Sequence, residues 1–185
     1  MTAQTGATTG SHAEVRQVWP RDGRIRVLGT VVTGGVPDAA PADRQWLLRL
    51  TSRERSDTVT PPVTRRLTNR FKHIVTGTSV PTPRRLLFPV TSDGADFEAV
   101  VRVRDLAVWD ALPQELWDLE LVATRGGKKV ILRVGGHLDD MPGKKQIVKF
   151  PEQSLAGVAV LPYYTDSDDL SVRTARISTS DQGAA

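Results

Sequence analysis

The side chains best suited to chemistry are three histidines and the carboxylates near one of them. His12, His73 and His137 occur at no i, i+2 or i, i+4 spacing that would place two imidazoles on one metal ion. His137 precedes Asp139 and Asp140 in a predicted loop, where a carboxylate can orient an imidazole as a general base. The sequence therefore offers His137 as a candidate site residue, and a structural hydrogen-bonding role is the competing interpretation.

A cluster of carboxylates, Asp166-Ser167-Asp168-Asp169, follows Tyr163-Tyr164. An oxygen-rich loop can hold calcium, but this one lacks the glycine and the distal glutamate of the helix-loop-helix calcium motif. We therefore expect a solvated turn, with calcium as the alternative. The sequence has no cysteine and no Gly-x-Ser-x-Gly segment, which excludes thiol chemistry and argues against a serine hydrolase. We predict no catalytic residue, no metal and no cofactor.

Positive charge is concentrated in one part of the chain. From Arg44 to Arg85, ten basic residues stand against two acidic ones, a net charge of +8, whereas the rest carries −4. Arginine forks bind phosphate in two-point geometry, so we predict a groove for a phosphorylated or otherwise anionic partner. A solvated, mixed-charge surface is the competing interpretation. The candidate binding residues of this segment are Arg65, Arg66, Arg70 and Lys72.

Aromatic residues are too few in the basic segment for sequence-specific nucleic-acid binding. Only Trp46 and Phe71 lie among the basic residues, and base stacking needs aromatics interleaved with them. Trp117 begins an alternating strand and is expected in the core. Trp109 lies in a predicted turn between strands, where binding sites concentrate, and is the candidate for stacking on a sugar.

The apolar residues that must position these side chains recur at every second position, a period typical of β-strands. Residues 1–12 and 178–185 are rich in small and polar residues and are predicted to be disordered tails. Residues 13–177 are then expected to form a single domain. No run approaches the roughly 18 apolar residues that span a bilayer, and the first residues do not resemble a secretory signal. A cytoplasmic location is therefore expected.

Turn signals divide the domain into roughly nine or ten short strands. Asp22-Gly23 and Gly126-Gly127 each predict a hairpin. Residues 105–113 carry apolar side chains at helical spacing and predict one helical turn capped by Asp105, and residues 147–150 predict a short strand. We predict an all-β, antiparallel two-sheet β-sandwich of the immunoglobulin-like type, with a closed β-barrel as the alternative.

The C-terminal half also resembles a known module. The residues that carry the resemblance are Leu116-Trp117-Asp118-Leu119-Glu120-Leu121, Gly126-Gly127, Leu132-Arg133-Val134-Gly135, His137-Leu138-Asp139-Asp140, Lys144-Lys145, Pro162-Tyr163-Tyr164-Thr165 and Asp169-Leu170-Ser171-Val172. Over residues 86–176 the chain resembles the immunoglobulin-like accessory β-domain associated with actinobacterial glycosyltransferases and CDP-glycerol glycerophosphotransferases, which assemble wall polymers of the teichoic-acid type. The resemblance implies a module that binds a sugar polymer or assembles beside a catalytic domain.

Transferase activity does not carry over, because the sequence has no nucleotide-sugar-binding domain and no glycine-rich loop at a strand-to-helix junction. The first functional hypothesis is therefore a non-catalytic β-sandwich module that binds a carbohydrate or phosphorylated ligand, or docks onto a biosynthetic enzyme such as a glycosyltransferase. The alternative is a small β-barrel enzyme of the cyclase or isomerase type, or a protein that sequesters a product of secondary metabolism. That alternative needs an enclosed pocket of several hundred Å³.

Overall fold

The structure is a computed structural model that describes residues 10–34, 36–37, 45–58, 81–108, 111–125, 128–138, 141 and 143–177. The regular structure of these residues is almost entirely β-strand, which confirms the all-β prediction. The strands are β1 (His12–Arg21), β2 (Arg24–Thr33), β3 (Val36–Pro37), β4 (Leu47–Thr58), β5 (Pro81–Asp93), β6 (Asp96–Arg102), β7 (Gln114–Arg125), β8 (Lys128–Gly135), β9 (Gln153–Leu155), β10 (Val158–Tyr164) and β11 (Leu170–Arg176). The helices are α1 (Val103–Leu106) and α2 (Lys144–Ile147).

Seven of these strands close into a barrel. Their order is β4-β5-β6-β2-β1-β8-β7, and β7 pairs back with β4 from Leu47↔Val122 to Ser52↔Trp117. The closed barrel, the alternative in the sequence prediction, is the arrangement found, and the immunoglobulin-like sandwich is not confirmed. The pattern of apolar residues fits both, because a period of two fixes which face of a strand is buried and leaves its neighbours open.

Strand β7 joins the barrel to a second layer. One of its edges pairs with β4, while the other pairs with β11 through Gln114–Asp118 and with β8 through Glu120–Arg125. From β11 the sheet continues to β10 and β9. The chain that leaves β8 stays beside β11, since Gly135 forms an isolated antiparallel bridge with Asp169.

The contact between β1 and β8 is short and parallel. It consists of the pairs Ala13↔Val134 and Glu14↔Gly135, and the other strand pairings of the described residues are antiparallel. This contact places the first residues of β1 beside the loop that follows β8.

The predicted hairpin at Asp22-Gly23 is confirmed. Both residues have positive φ, 53° and 69°, as in the tight turns that match the twist of paired strands. Strands β1 and β2 pair from His12↔Val32 to Arg21↔Arg24. Strands β7 and β8 likewise pair to Arg125↔Lys128, as predicted, although Gly126 and Gly127 lie outside the described residues.

Two local predictions were wrong. Helix α1 begins two residues before Asp105, with Arg102 at its N-cap and no side-chain capping bond. Val103 and Leu106 are buried one turn apart, so packing rather than a cap places this helix. Residues 147–150 form no strand: α2 ends at Ile147, and the residues after it pack on the core without strand pairing in the part of the chain described.

Apolar side chains fill the interior. Trp117 is 1% exposed, as predicted for a core residue, and Trp46 is equally buried. Burial of each large apolar side chain contributes about 1.5–3 kcal/mol. Other fully buried members are Ile25, Val27, Leu48, Leu50, Leu106, Leu119, Leu121 and Leu170.

Neither helix of the described residues is long or apolar enough to cross a membrane.

Candidate functional site

Most of the predicted binding residues lie outside the part of the chain that the structure describes. They are Arg65, Arg66, Arg70, Lys72 and Trp109. The arginine-rich groove and the stacking role of Trp109 therefore remain predictions. His137 is described, and Trp46 is buried in the core, where it cannot stack on a base.

His137 lies in a cluster that the parallel β1–β8 contact assembles. Its Nε2 atom is 3.3 Å from Oδ1 of Asp169, so the observed carboxylate partner comes from the start of β11, and Asp139 and Asp140 lie outside the described residues. The rings of His137 and His12 meet edge to face with centroids 5.0 Å apart. His12 is itself 3.0 Å from the Glu14 carboxylate. Each imidazole thus has a carboxylate partner, an arrangement that fits both a structural hydrogen bond and a carboxylate-oriented base, so the role of His137 stays a prediction.

The outer face beside this cluster carries a ladder of ion pairs. The nitrogen atoms of Arg133 lie 3.7 Å from the Asp169 carboxylate, 3.8 Å from that of Asp118 and 4.0 Å from that of Glu120. Two arginines of β4 reach the same carboxylates: Arg53 pairs with Asp118 and Arg49 with Glu120. The hydrogen bond to Asp118 raises the pKa of Arg53 above its ordinary range. Because carboxylates oppose these arginines, the ladder offers little net charge to a ligand.

The predicted carboxylate turn is held by other side chains. Asp166 pairs with Lys145 at 2.8 Å, and Asp169 faces His137 and Arg133. Thr165 Oγ1 accepts the backbone N–H of Asp169 at 3.2 Å. Within the described ranges, no group of three or more histidine and carboxylate side chains is placed to hold a metal ion.

A groove of about 400 Å³ lies beside this turn, between the α2 segment and the outer face of the β7-β11-β10 sheet. Leu116, Arg173 and Leu161 occupy matching register positions on the three strands and so share one face. Strand β9 pairs with β10 only at residues 158–160, and the α2 segment lies beside the rest of that strand. The lining residues, which we call the α2 groove, are Gln114, Leu116, Lys145, Val148, Lys149, Phe150, Leu161, Pro162, Tyr163 and Arg173.

The α2 groove combines cations with an apolar wall. Lys149 and Arg173 are exposed, and neither forms an ion pair with any residue that the structure describes. Lys145 is also exposed, but its Nζ atom is paired with Asp166. Phe150 and Tyr163 contribute aromatic surface. Such a surface offers charge to an anion and apolar contact to the carbon skeleton of a sugar or polyol.

A buried lysine anchors the wall of the groove. Lys144, the first residue of α2, is 2% exposed, and its Nζ atom donates to the backbone oxygen of Gly136. The same Nζ lies 5.3 Å from the centre of the Tyr164 ring. A Cβ atom on Gly136 would lie 2.8 Å from this Nζ, so a larger residue there would displace the end of the lysine side chain. These contacts hold the start of α2 beside Gly136 and Tyr164, the last residue of β10.

Sequence reasoning named only part of this groove. Lys145, Pro162 and Tyr163 are among the residues that carry the family resemblance, but none of them was assigned a ligand, and Lys149 and Arg173 were not singled out. A usable signal existed for Arg173, since it is the outward, charged position in the alternating pattern of β11. No comparable signal marked Lys149, whose place depends on the α2 turn.

The comparisons with known proteins concern the fold. No protein-family model and no curated protein matches the chain. Solved structures similar to it include S. aureus TarS 217-571, with a TM-score of 0.61 and 13% identity, and S. aureus TarS, with a TM-score of 0.59 and 14% identity. Each alignment covers 92% of this chain, but only 40% and 25% of the TarS chains. The likeness shows that this all-β fold also occurs as a part of TarS.

Proposed function

We propose that the chain is a glycosyltransferase-associated β domain whose α2 groove binds an anionic carbohydrate, of the class of sugar-phosphate or polyol-phosphate polymers. The observation that carries the proposal is the groove itself, in which Lys149 and Arg173 face solvent beside Phe150, Leu161 and Tyr163. Under this proposal the domain contributes no catalytic residue. It binds the polymer for the enzyme that it accompanies.

The chemistry of the groove matches such a polymer in both of its parts. A phosphodiester carries one negative charge and accepts hydrogen bonds from the Arg173 guanidinium and the Lys149 ammonium. The carbon skeleton between phosphates covers the apolar wall, where the ring of Tyr163 offers an aromatic face. Each exposed charge pair adds about 0–1 kcal/mol, so binding of one repeat is weak and gains from a polymer.

Two lines of reasoning support an enzyme partner. Four lining residues of the groove belong to the motifs that resemble the accessory domain of wall-polymer transferases: Leu116, Lys145, Pro162 and Tyr163. The fold likeness to a TarS segment supports a glycosyltransferase-associated β domain. We propose such an enzyme as the partner and keep a cytoplasmic location as a prediction.

The enzyme and sequestering alternatives receive no supporting observation. They require an enclosed pocket, and the barrel interior is filled by core side chains such as Leu50 and Leu121. The four grooves lined by Leu116, Leu87, Leu28 and Trp19 are open to solvent rather than enclosed.

Calorimetric titration of the full chain with poly(glycerol phosphate) tests the proposal. We expect saturable binding that weakens with added salt, since salt screens exposed charges. The double variant Lys149→Ala/Arg173→Ala should lower the affinity by about tenfold, equivalent to about 1.4 kcal/mol.

The matched control is Arg85→Ala/Lys129→Ala, which removes two exposed cations from β5 and β8 outside the α2 groove. Its affinity should stay within about twofold of the wild-type value. Absence of binding by the wild-type chain, or equal losses in the two double variants, would contradict the proposed site.

A further inference from the structure

Trp19 is an exposed tryptophan on the outer face of the β1–β2 hairpin. It is 43% exposed, whereas Trp46 and Trp117 are 1% exposed. Its indole Nε1 donates a 3.1 Å hydrogen bond to Oε1 of the exposed Gln17. A single exposed apolar side chain is ordinary on a protein surface, so the neighbours of Trp19 decide whether it forms a site.

Those neighbours are arginines. The guanidinium carbon of Arg21 lies 5.2 Å from the centre of the Trp19 ring, and Arg26 is the cross-strand partner of Trp19. Arg26 is neutralised by two hydrogen bonds to Glu98, at 2.5 and 2.7 Å. Arg24, paired in register with Arg21, forms no ion pair with any described residue. The ring beside these guanidinium groups presents an apolar face and positive charge together.

These side chains border a second groove, of about 530 Å³. We call it the hairpin groove, and its lining is Gln17, Trp19, Arg21, Asp22, Arg24 and Arg26. The one carboxylate among them, Asp22, has its Oδ2 atom 3.9 Å from Nε of Arg21, and both side chains are largely exposed. It therefore combines aromatic surface with cations, as the α2 groove does, on a different pair of strands, with Arg24 forming no ion pair with a described residue and Arg21 only a long, exposed contact with Asp22.

A short segment of the chain leads from the α2 groove to the hairpin turn. Gln153 binds the hairpin turn through both ends of its side-chain amide: Oε1 accepts from the Gly23 backbone N–H at 2.8 Å, and Nε2 donates to the Arg24 backbone oxygen at 2.9 Å. Phe150, in the wall of the α2 groove, precedes Gln153 by three residues. The Cα atoms of these two residues are thus at most about 11 Å apart. The edge of one groove consequently lies within a short reach of the turn that carries the other.

We propose that the hairpin groove is a second subsite for the same anionic glycopolymer, with Trp19 stacking on a sugar or polyol unit and Arg21 and Arg24 pairing with its phosphates. This inference rests on the proposed function. A polymer held in the α2 groove presents its neighbouring units to the hairpin at high effective concentration, so the second contact raises the affinity of a long chain and leaves that of a short one unchanged.

The test compares poly(glycerol phosphate) with a short glycerol phosphate oligomer that fills one groove, by calorimetric titration of the full chain. The wild-type chain should bind the polymer about tenfold more tightly than the oligomer, within the range that linked sites provide. The double variant Trp19→Ala/Arg24→Ala should lose this advantage and keep its affinity for the oligomer. Lys149→Ala/Arg173→Ala should weaken binding of both.

The matched control is Arg85→Ala/Leu87→Ala, which removes a cation and an exposed apolar side chain from β5. It should bind both probes as the wild-type chain does. Thermal unfolding of each variant verifies that the fold is retained.

The outcomes separate the two proposals. If Trp19→Ala/Arg24→Ala binds the polymer as tightly as the wild-type chain, the hairpin subsite is refuted while the α2 groove stands. If the wild-type chain binds neither probe, the proposed function fails and the subsite with it. Binding to vesicles of anionic phospholipid that depends on Trp19, without polymer binding, would assign the hairpin groove to a lipid surface and overturn the glycopolymer subsite.

Discussion

The Oε2 atom of Glu14 accepts a 2.8 Å hydrogen bond from the backbone N–H of His137, 123 positions further along the chain. Its Oε1 atom accepts the backbone N–H of Leu138 at 3.1 Å. The Nε2 atom of His12 lies 3.0 Å from Oε2 of the same carboxylate. One carboxylate therefore satisfies two backbone donors of the loop after β8 and an imidazole of its own strand. This contact fastens β1 to β8 beyond their two paired positions.

Glu14→Gln should destabilise the protein. Glu14 is only 9% exposed, and an amide in its place offers one acceptor oxygen and turns an NH₂ group toward a backbone donor. Loss of charge-assisted hydrogen bonds at a buried site should lower the free energy of unfolding by about 2–3 kcal/mol. Urea denaturation provides the measurement. Glu152→Gln, at an exposed position, is the control and should change stability by less than about 0.5 kcal/mol. Equal stability of the two variants would show that Glu14 does not hold the loop.

Gly29→Ala should also destabilise the fold, for steric reasons. Gly29 lies opposite the bulge of β1 between Val15 and Gln17. A Cβ atom there would overlap the backbone oxygen of Glu14 and lie 2.6 Å from the Phe97 ring. Since backbone and a buried ring cannot both move aside, we expect a loss of about 1–3 kcal/mol in the same denaturation experiment. Gly10→Ala, where an added Cβ meets no atom within 4 Å, should leave stability unchanged. A wild-type midpoint for Gly29→Ala would mean that the bulge can rearrange.

Two exposed ion pairs should make the free energy of unfolding depend on pH in the acidic range. The hydrogen bond from Arg16 holds the pKa of Asp96 below its usual value, and that from Arg26 does the same for Glu98. A depressed pKa in the folded state stabilises the protein above the unfolded pKa, about 4. That contribution is lost as the pH falls through the lower folded value. Asp96→Asn/Glu98→Gln should therefore flatten the dependence of unfolding free energy on pH below about 4.

Solvent screening makes this effect modest, and added salt should reduce it further. The control is Asp22→Asn, which removes an acidic side chain from the hairpin turn and suits its positive φ. If the unfolding free energy of Asp96→Asn/Glu98→Gln falls with decreasing pH as steeply as that of the wild-type chain, these pairs do not contribute to it.

Asp166→Ala should strengthen ligand binding in the α2 groove. Asp166 forms an ion pair with Lys145, whose Nζ atom lies 2.8 Å from Oδ2 of Asp166. Removal of this carboxylate leaves Lys145 as a third cation available to a ligand, beside Lys149 and Arg173. Because an exposed pair is worth up to about 1 kcal/mol, the affinity for poly(glycerol phosphate) should rise by about two- to fivefold in calorimetric titration. Asp93→Asn removes an acidic side chain outside this groove and should have a smaller effect. An equal rise in both variants would indicate general electrostatics rather than a site.

Local patterns of residues predict the class of fold, the two hairpins and much of the core. Alternation of apolar and polar residues fixed the inward faces of strands such as β7, with Trp117, Leu119 and Leu121 buried. The Asp22-Gly23 pair fixed its turn, because both residues tolerate positive φ. These are local properties, and local sequence carries them.

Which strands become neighbours depends on contacts between segments that are distant along the chain. Closure of the barrel through β4 and β7, the parallel contact that brings Glu14 to His137, and the α2 groove all join segments far apart in the sequence. A two-residue period says which side of a strand is buried but nothing about the strand beside it, and the balance between packing and loop closure settles that choice. The charged residues of the groove come together only in the folded chain, where α2 lies beside β10 and the buried Lys144 at its start bonds to Gly136.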